Sequence, residues 1–185
     1  MKHLNQFITE YIIKKKLDTP IDSEDHSEYH PKTKDELKKN IIECIKNDKY
    51  DLNCIDTSKI TDMSYLFGSL NNVPIQSINF DVSEWDVSNV EYMQHMFSYC
   101  KNFNGDLSKW NVSNVDNMSN MFFNCKKFDC DLSNWNISNV KFMERMFYNC
   151  KKFKVDCLEN WKITTKVSKK NIFYGTKNTP SWYKK

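Results

Sequence analysis

Apolar and polar positions follow one cycle through most of the chain. Trp110 and Val112 flank the polar Asn111, an alternation that predicts a short strand with two side chains turned inward. Val115, Met118, Met121, Phe122, Cys125 and Phe128 follow at steps of three or one, which predicts one face of a short helix or a 3₁₀-like run. Ser113 stands where it is expected to cap the turn between the two elements. Leu132, after Asp131, is expected to point a last apolar side chain inward.

This cycle begins at Trp85, recurs 25 residues later at Trp110 and again at Trp135, and restarts at Trp161 after 26 residues. A fixed period of this length predicts a solenoid, in which no unit buries its apolar side alone. We expect about five coils, at 55–84, 85–109, 110–134, 135–160 and 161–174. In the first, Ile55 replaces the tryptophan while Ser58, Ile60, Met63, Leu66 and Phe67 keep their registers, and extra residues around Asn71–Gln76 lengthen the return. In the last, Ile163, Ile172 and Phe173 fit, but Lys166 and Lys169 fall on the valine and first methionine positions. Stacked coils would set like residues about 4.8 Å apart. Trp85/Trp110/Trp135/Trp161, Phe97/Phe122/Phe147/Phe173 and Phe103/Phe128/Phe153 would then form ladders.

Residues 1–54 carry no repeat. Leu4, Phe7, Ile8, Tyr11 and Ile12 predict an amphipathic helix over Met1–Lys16, and Asp18–Pro31 reads as an extended acidic connector. A second helix is predicted from Thr33 to near Asn47, with Thr33 and Glu36 as a capping box and Leu37, Ile41, Cys44 and Ile45 buried. It sits where an N-terminal cap would cover the first coil. Residues 175–185 form a basic tail.

The pattern W-[DN]-[VI]-S-N-V-x-x-M-x-x-M-F-x-x-C-x-x-F, followed by D-L-S, resembles the 25-residue repeat of BspA-like leucine-rich-repeat proteins, a repeat that also fills many mycoplasma lipoproteins. The likeness covers about Cys54–Tyr174, and the Thr33–Leu37 segment leading into Ile55-Asp56-Thr57-Ser58 resembles that family too. It implies an α/β repeat fold, a leucine-rich-repeat-like right-handed solenoid. It also implies action by binding proteins, often at a bacterial surface.

Composition narrows the chemistry. Three glycines, Gly68, Gly105 and Gly175, leave no glycine-rich phosphate loop or dinucleotide fingerprint. No serine or cysteine comes with a base, because Ser88, Ser113 and Ser138 are read as caps and His95 falls where Asn120 and Arg145 stand in other units; an enzyme is not expected. Neither a metal nor a cofactor is expected. Cys100, Cys125 and Cys150 share one register and are read as small buried residues of a tight turn, and the other four of the seven cysteines show no pairing pattern. An odd cysteine total fits a reducing compartment. No stretch approaches the roughly 18 apolar residues of a membrane span, and the N-terminal spacing is not that of a signal peptide. A cytoplasmic location is therefore expected, membrane association is not, and the cell surface is the alternative the resemblance implies.

Function is left to the outward positions. From Trp161 to Lys185 there are seven lysines and no acid; against +3 for the whole chain, this leaves about −4 on the first 160 residues. Lys101, Lys126, Lys127, Lys151 and Lys152 form a stripe leading toward that basic end. Asp86, Asn111 and Asn136 lie beside the predicted strand, while Tyr92, Phe142 and Tyr99 add aromatic weight on the helical side, with Phe123 and Tyr148 near them. These positions are the candidate contact surface of a protein–protein interaction module, an adaptor or inhibitor. Binding of a nucleic-acid backbone along the lysines and surface adhesion are the alternatives.

Overall fold

The computed structural model describes residues 27–70, 73–163 and 166–183. The helix expected over Met1–Lys16 and most of the acidic connector lie outside the described residues.

Helix α1 runs Lys34–Lys46, with Thr33 as N-cap and Asn47 as C-cap. Thr33 Oγ1 accepts from Glu36 N–H, while Glu36 Oε2 reaches back to Lys32 N–H instead of the N-cap's own, so the capping box closes one residue early. Leu37, Ile41, Cys44 and Ile45 are buried as the spacing predicts and join the main core. Lys34 Nζ ties the helix to the first unit through Asp62 Oδ2 at 2.6 Å and Ser64 Oγ at 2.9 Å. Beside it, Tyr29 bridges Ile55 in parallel.

Beyond α1 and two short 3₁₀ helices, Ile75–Ser77 and Val155–Leu158, the described chain is turns joined by isolated parallel bridges. The strand expected at each tryptophan is not formed. The bridges fall elsewhere, Asp62↔Tyr92, Tyr92↔Asn117, Asn117↔Phe142 and Phe142↔Ser168, each joining one period to the next. The helical run expected after each Val-x-x-Met is not a helix either. Met93, His95, Phe97 and Tyr99 N–H donate across to Asn117, Ser119, Met121 and Phe123 carbonyls at 2.7–3.0 Å. Between them, Met96, Ser98 and Cys100 donate three residues back, to Met93, His95 and Phe97. Alternate donors thus serve a 3₁₀-type turn and a neighbouring unit. A helix would have claimed all of them. The same alternation recurs over Met118–Asn124 and Met143–Asn149. Left-handed residues reset the chain direction within each run: φ is 59° at His95 and 64° at Tyr99, 56° and 61° at Asn120 and Asn124, 54° and 62° at Arg145 and Asn149.

An extensive aromatic cluster fills the interior. Phe97, Phe122, Phe147 and Phe173 stack at 5.5–5.7 Å, and Phe103, Phe128 and Phe153 stack beside them at 5.7–6.0 Å. The tryptophans make no such ladder among the described residues. Each indole packs instead on a phenylalanine of the preceding unit, Trp110 on Phe97 at 6.1 Å and Trp135 on Phe122 at 6.4 Å. Each indole N–H also reaches back: Trp85 Nε1 to Leu52 O, Trp110 to Val82 O, Trp135 to Leu107 O and Trp161 to Leu132 O, at 2.9–3.1 Å. Trp182 Nε1 makes the corresponding bond to Leu158 O at 2.7 Å. The methionine rows Met93/Met118/Met143 and Met96/Met121/Met146 are fully buried.

Replacing Trp110 by Ala should destabilise the fold by about 3–5 kcal/mol, as a large-to-small change in a packed core does. Trp110→Phe keeps part of the apolar contact but removes the donor and leaves a smaller void, so it should cost less than alanine, about 1–3 kcal/mol. Urea unfolding followed by far-UV signal checks both. A near-neutral alanine variant would contradict the interlocking role of the indole.

Candidate interaction surface

The expected surface residues divide into groups that the fold separates. Asp86, Asn111 and Asn136 are exposed, but their side chains are in use: each Oδ1 accepts the N–H of the serine two residues on, Ser88, Ser113 or Ser138, at 2.9–3.2 Å. The capping role expected of the serines therefore belongs to the residue two positions before them, as an Asx turn. Asn89, Asn114 and Asn139 do not bond one another; each Nδ2 donates to the Ser58, Ser88 or Ser113 carbonyl of the preceding unit.

Tyr92 and Phe142 are 43% and 44% exposed and stand on the line of parallel bridges, with Asn117 between them. Tyr92 borders a shallow polar groove together with Asn114, Glu91, Asp116 and Lys141. Within it Lys141 Nζ and the Asp116 carboxylate form an ion pair, which raises the lysine's pKa.

Tyr99 belongs to a different feature. Its ring meets Phe123 edge-on at 5.4 Å, Phe123 stacks on Tyr148 at 4.8 Å, and Tyr148 stacks on Tyr174 at 4.7 Å. Backbone bonds hold this row: Tyr99 N–H donates to Phe123 O, Asn124 to Tyr148 O and Asn149 to Tyr174 O. The donors are the left-handed residues, and Gly175, with φ 79°, occupies the same register after Tyr174. Tyr99 and Tyr174 are 49% and 61% exposed, with Phe123 and Tyr148 partly so. The row is therefore a ridge whose stacked faces are mostly covered by neighbours and whose edges meet solvent. No ring contact or hydrogen bond among the described residues joins it to Tyr92 or Phe142. Tyr174 escaped the sequence reading, though aromatic residues recur 13 positions after three successive tryptophans, at Phe123, Tyr148 and Tyr174.

Close by in sequence stand Lys101, Lys126, Lys127, Lys151 and Lys152, all exposed. Lys127 N–H donates to Lys101 O, so the row is continuous across two units, and the buried Phe103/Phe128/Phe153 stack follows it immediately in each. None of these five ammonium groups has an ion-pair partner among the described residues. Lys154, Lys109 and Lys141 differ, paired with Asp129, Glu84 and Asp116. The ridge ends at a cleft lined by Lys169, Lys170, Tyr174 and Lys177.

The family described as "Mycoplasma protein of unknown function, DUF285" matches residues 69–183, more than half of the chain. The chain belongs to the DUF285 family. No curated protein and no solved structure matches it. The DUF285 match takes in every tryptophan, the aromatic ridge and the lysine row, and it stops short of α1.

Among the described residues, no group of three or more His, Cys, Asp or Glu side chains is arranged to hold a metal ion, and no helix is long and apolar enough to cross a membrane. Cys125 and Cys150 donate to the Phe97 and Phe122 carbonyls, both at 2.9 Å, and burial pushes the Cys100 thiol up to about 12. His95 stacks on Tyr65 at 4.5 Å, and burial lowers its pKa.

Glu144 links three units of this DUF285 protein: its carboxylate accepts from Ser119 Oγ at 2.7 Å and from Ser168 Oγ. Burial alone would raise its pKa, but the Ser168 and Ser119 hydroxyls outweigh it and hold the carboxyl below the ordinary glutamate range. The group therefore stabilises the fold above its unfolded pKa, and that contribution is lost as pH falls through the lowered folded value. Glu144→Gln should lower stability at neutral pH and flatten its decline between about pH 5 and pH 3. Urea midpoints of both proteins across that range provide the check, and parallel curves would exclude the linkage.

Proposed function

We propose that this DUF285 protein is a non-catalytic protein-binding module whose aromatic ridge and lysine row dock an acidic protein partner. Its frame, on this reading, is a leucine-rich-repeat-like right-handed solenoid of about five coils, related to the BspA-like repeats. Support for the frame comes from hydrogen bonds and ring stacks that recur at the 25-residue period. Support for the function comes from a row of aromatic rings, Tyr99 to Tyr174, whose edges meet solvent, followed closely in sequence by exposed lysines that have no ion-pair partner among the described residues.

Aromatic side chains supply contact area at small entropic cost and dominate interface energetics. Unpaired lysines around them steer an acidic surface into register. The same geometry weighs against a base-stacking nucleic-acid site, which needs free ring faces. Here the rings cover one another's faces, so a nucleic acid would be held through its phosphates alone. Such binding would weaken steeply with salt.

A nuclease-treated pull-down, read by mass spectrometry, tests the reading. The baits are the native chain, a chain with Lys126, Lys127, Lys151 and Lys152 changed to Glu, and a Tyr148→Ala chain. One dominant protein should bind the native bait, with affinity at least about tenfold lower for each variant whose far-UV spectrum is unchanged. Capture that survives both changes would overturn the assignment of the face. Recovery only without nuclease would replace the protein partner with nucleic acid.

A further inference from the structure

Cys44 and Cys54 show no pairing signal in the sequence, yet their Sγ atoms lie 4.0 Å apart, the one thiol pair within hydrogen-bonding distance among the described residues. Cys44 is fully buried on the inner face of α1, and Cys54 is half-buried just before Ile55. Both backbones are anchored. Cys44 O accepts from Asn47 and Lys49 N–H, and Cys54 O accepts from Glu28 and Tyr29 N–H. The other cysteines are engaged differently: Cys125 and Cys150 with backbone carbonyls, Cys130 with Leu107 N–H and Cys157 with Lys154 O. A disulfide needs the sulfurs to close to about 2.05 Å. The two thiols start at contact distance, 4.0 Å, so closure shortens the gap by about 2 Å.

We propose that Cys44 and Cys54 form a thiol–disulfide exchange site that reacts with small-molecule disulfides and closes into a bond stapling α1 to the segment that enters the first unit. Cys54, the accessible partner, attacks as thiolate. It forms a bond to one sulfur of the small disulfide, whose sulfur–sulfur bond breaks and releases one thiolate. Cys44 then gives up its proton and attacks Cys54 Sγ, expelling the second small thiolate. The two protein thiols are oxidised and the small disulfide is reduced to two thiols, with no other reagent required. Burial first, then the neighbouring Cys54, push the Cys44 thiol up to about 12; Lys49 opposes this and Glu28 adds to it. Cys44 therefore suits the second, resolving step, where the mixed disulfide holds its target at contact distance. Both cysteines lie outside the DUF285 match, so the staple would fix α1 to the segment that leads into the first unit, independently of the contact surface.

The test uses the full reduced chain, folded and at neutral pH, with oxidised glutathione as the probe, followed by intact mass and peptide mapping. The expected product has lost two hydrogens, carries no glutathione, and yields a Cys44–Cys54 linked peptide. It should form at least tenfold faster than any modification of Cys100, Cys125 or Cys150. Cys44→Ser should trap glutathione on Cys54, and Cys54→Ser should abolish both adduct and bond. A glutathione adduct that persists on Cys54 of the native chain would overturn the proposal. So would first oxidation at another cysteine pair, or no reaction short of unfolding. The native-chain map decides the matter even if a serine variant fails to fold.

Discussion

An indole N–H buried in a dry core must find an acceptor, and those of Trp85, Trp110, Trp135 and Trp161 find it 28–33 residues back along the chain, in the turn that leads into the preceding period. Val82 O illustrates the arrangement, accepting Trp85 N–H from its own turn and Trp110 Nε1–H from the equivalent turn one period on, so both lone pairs are used. Leu107 O and Leu132 O do the same for their neighbours. The ring follows the N–H, packing on the preceding unit's phenylalanine. A unit without a predecessor would leave its tryptophan exposed or unsatisfied. The ends meet this constraint in different ways. At the N-terminal end, Ile55 has no side-chain donor; Tyr29 bridges it, and the buried face of α1 joins the same core. At the other end, Trp182 bonds Leu158 O and packs edge-on against Phe173.

Side chains reach back while much of the backbone reaches forward. Trp Nε1, Asn Nδ2 and Cys Sγ donate to the preceding unit, and alternate N–H groups from Met93 to Tyr99 donate to the following one. Using the backbone this way requires left-handed residues, which cost about 1–2 kcal/mol each for non-glycine side chains. The cross-unit bonds offset that cost. They also decide what the surface presents, because the residue before the second left-handed position in these units projects its ring outward. Phe123, Tyr148 and Tyr174 are those residues, so the ridge is a by-product of how the backbone turns.

Much of the interior was legible in the sequence because its registers are set by burial. The phenylalanine columns, the buried methionines, Cys100, Cys125 and Cys150, and α1 with its Thr33 cap all followed from spacing and residue type. Elements failed where hydrogen-bond direction, not burial, decides. Val115-x-x-Met118-x-x-Met121 reads as one helical face, but half of its donors are claimed by the next unit. Trp110-Asn111-Val112 alternates as a strand would, yet Asn111 closes an Asx turn. Of the candidate surface, the exposure of the five lysines was legible from their charge and register. Tyr92 and Phe142 sit on the line of parallel bridges, apart from Tyr99, because nothing in the sequence reveals which outward residues flank a left-handed turn.

Hydrogen exchange of the five indole N–H groups, resolved by nuclear magnetic resonance, tests the interlocking claim most directly. The indoles of Trp85, Trp110, Trp135 and Trp161 should exchange only on large-scale unfolding. Trp182, whose bond is partly exposed, should exchange faster than these four. If the four exchanged as freely as an indole in solvent, the bonds between successive units would not exist and the account would fail.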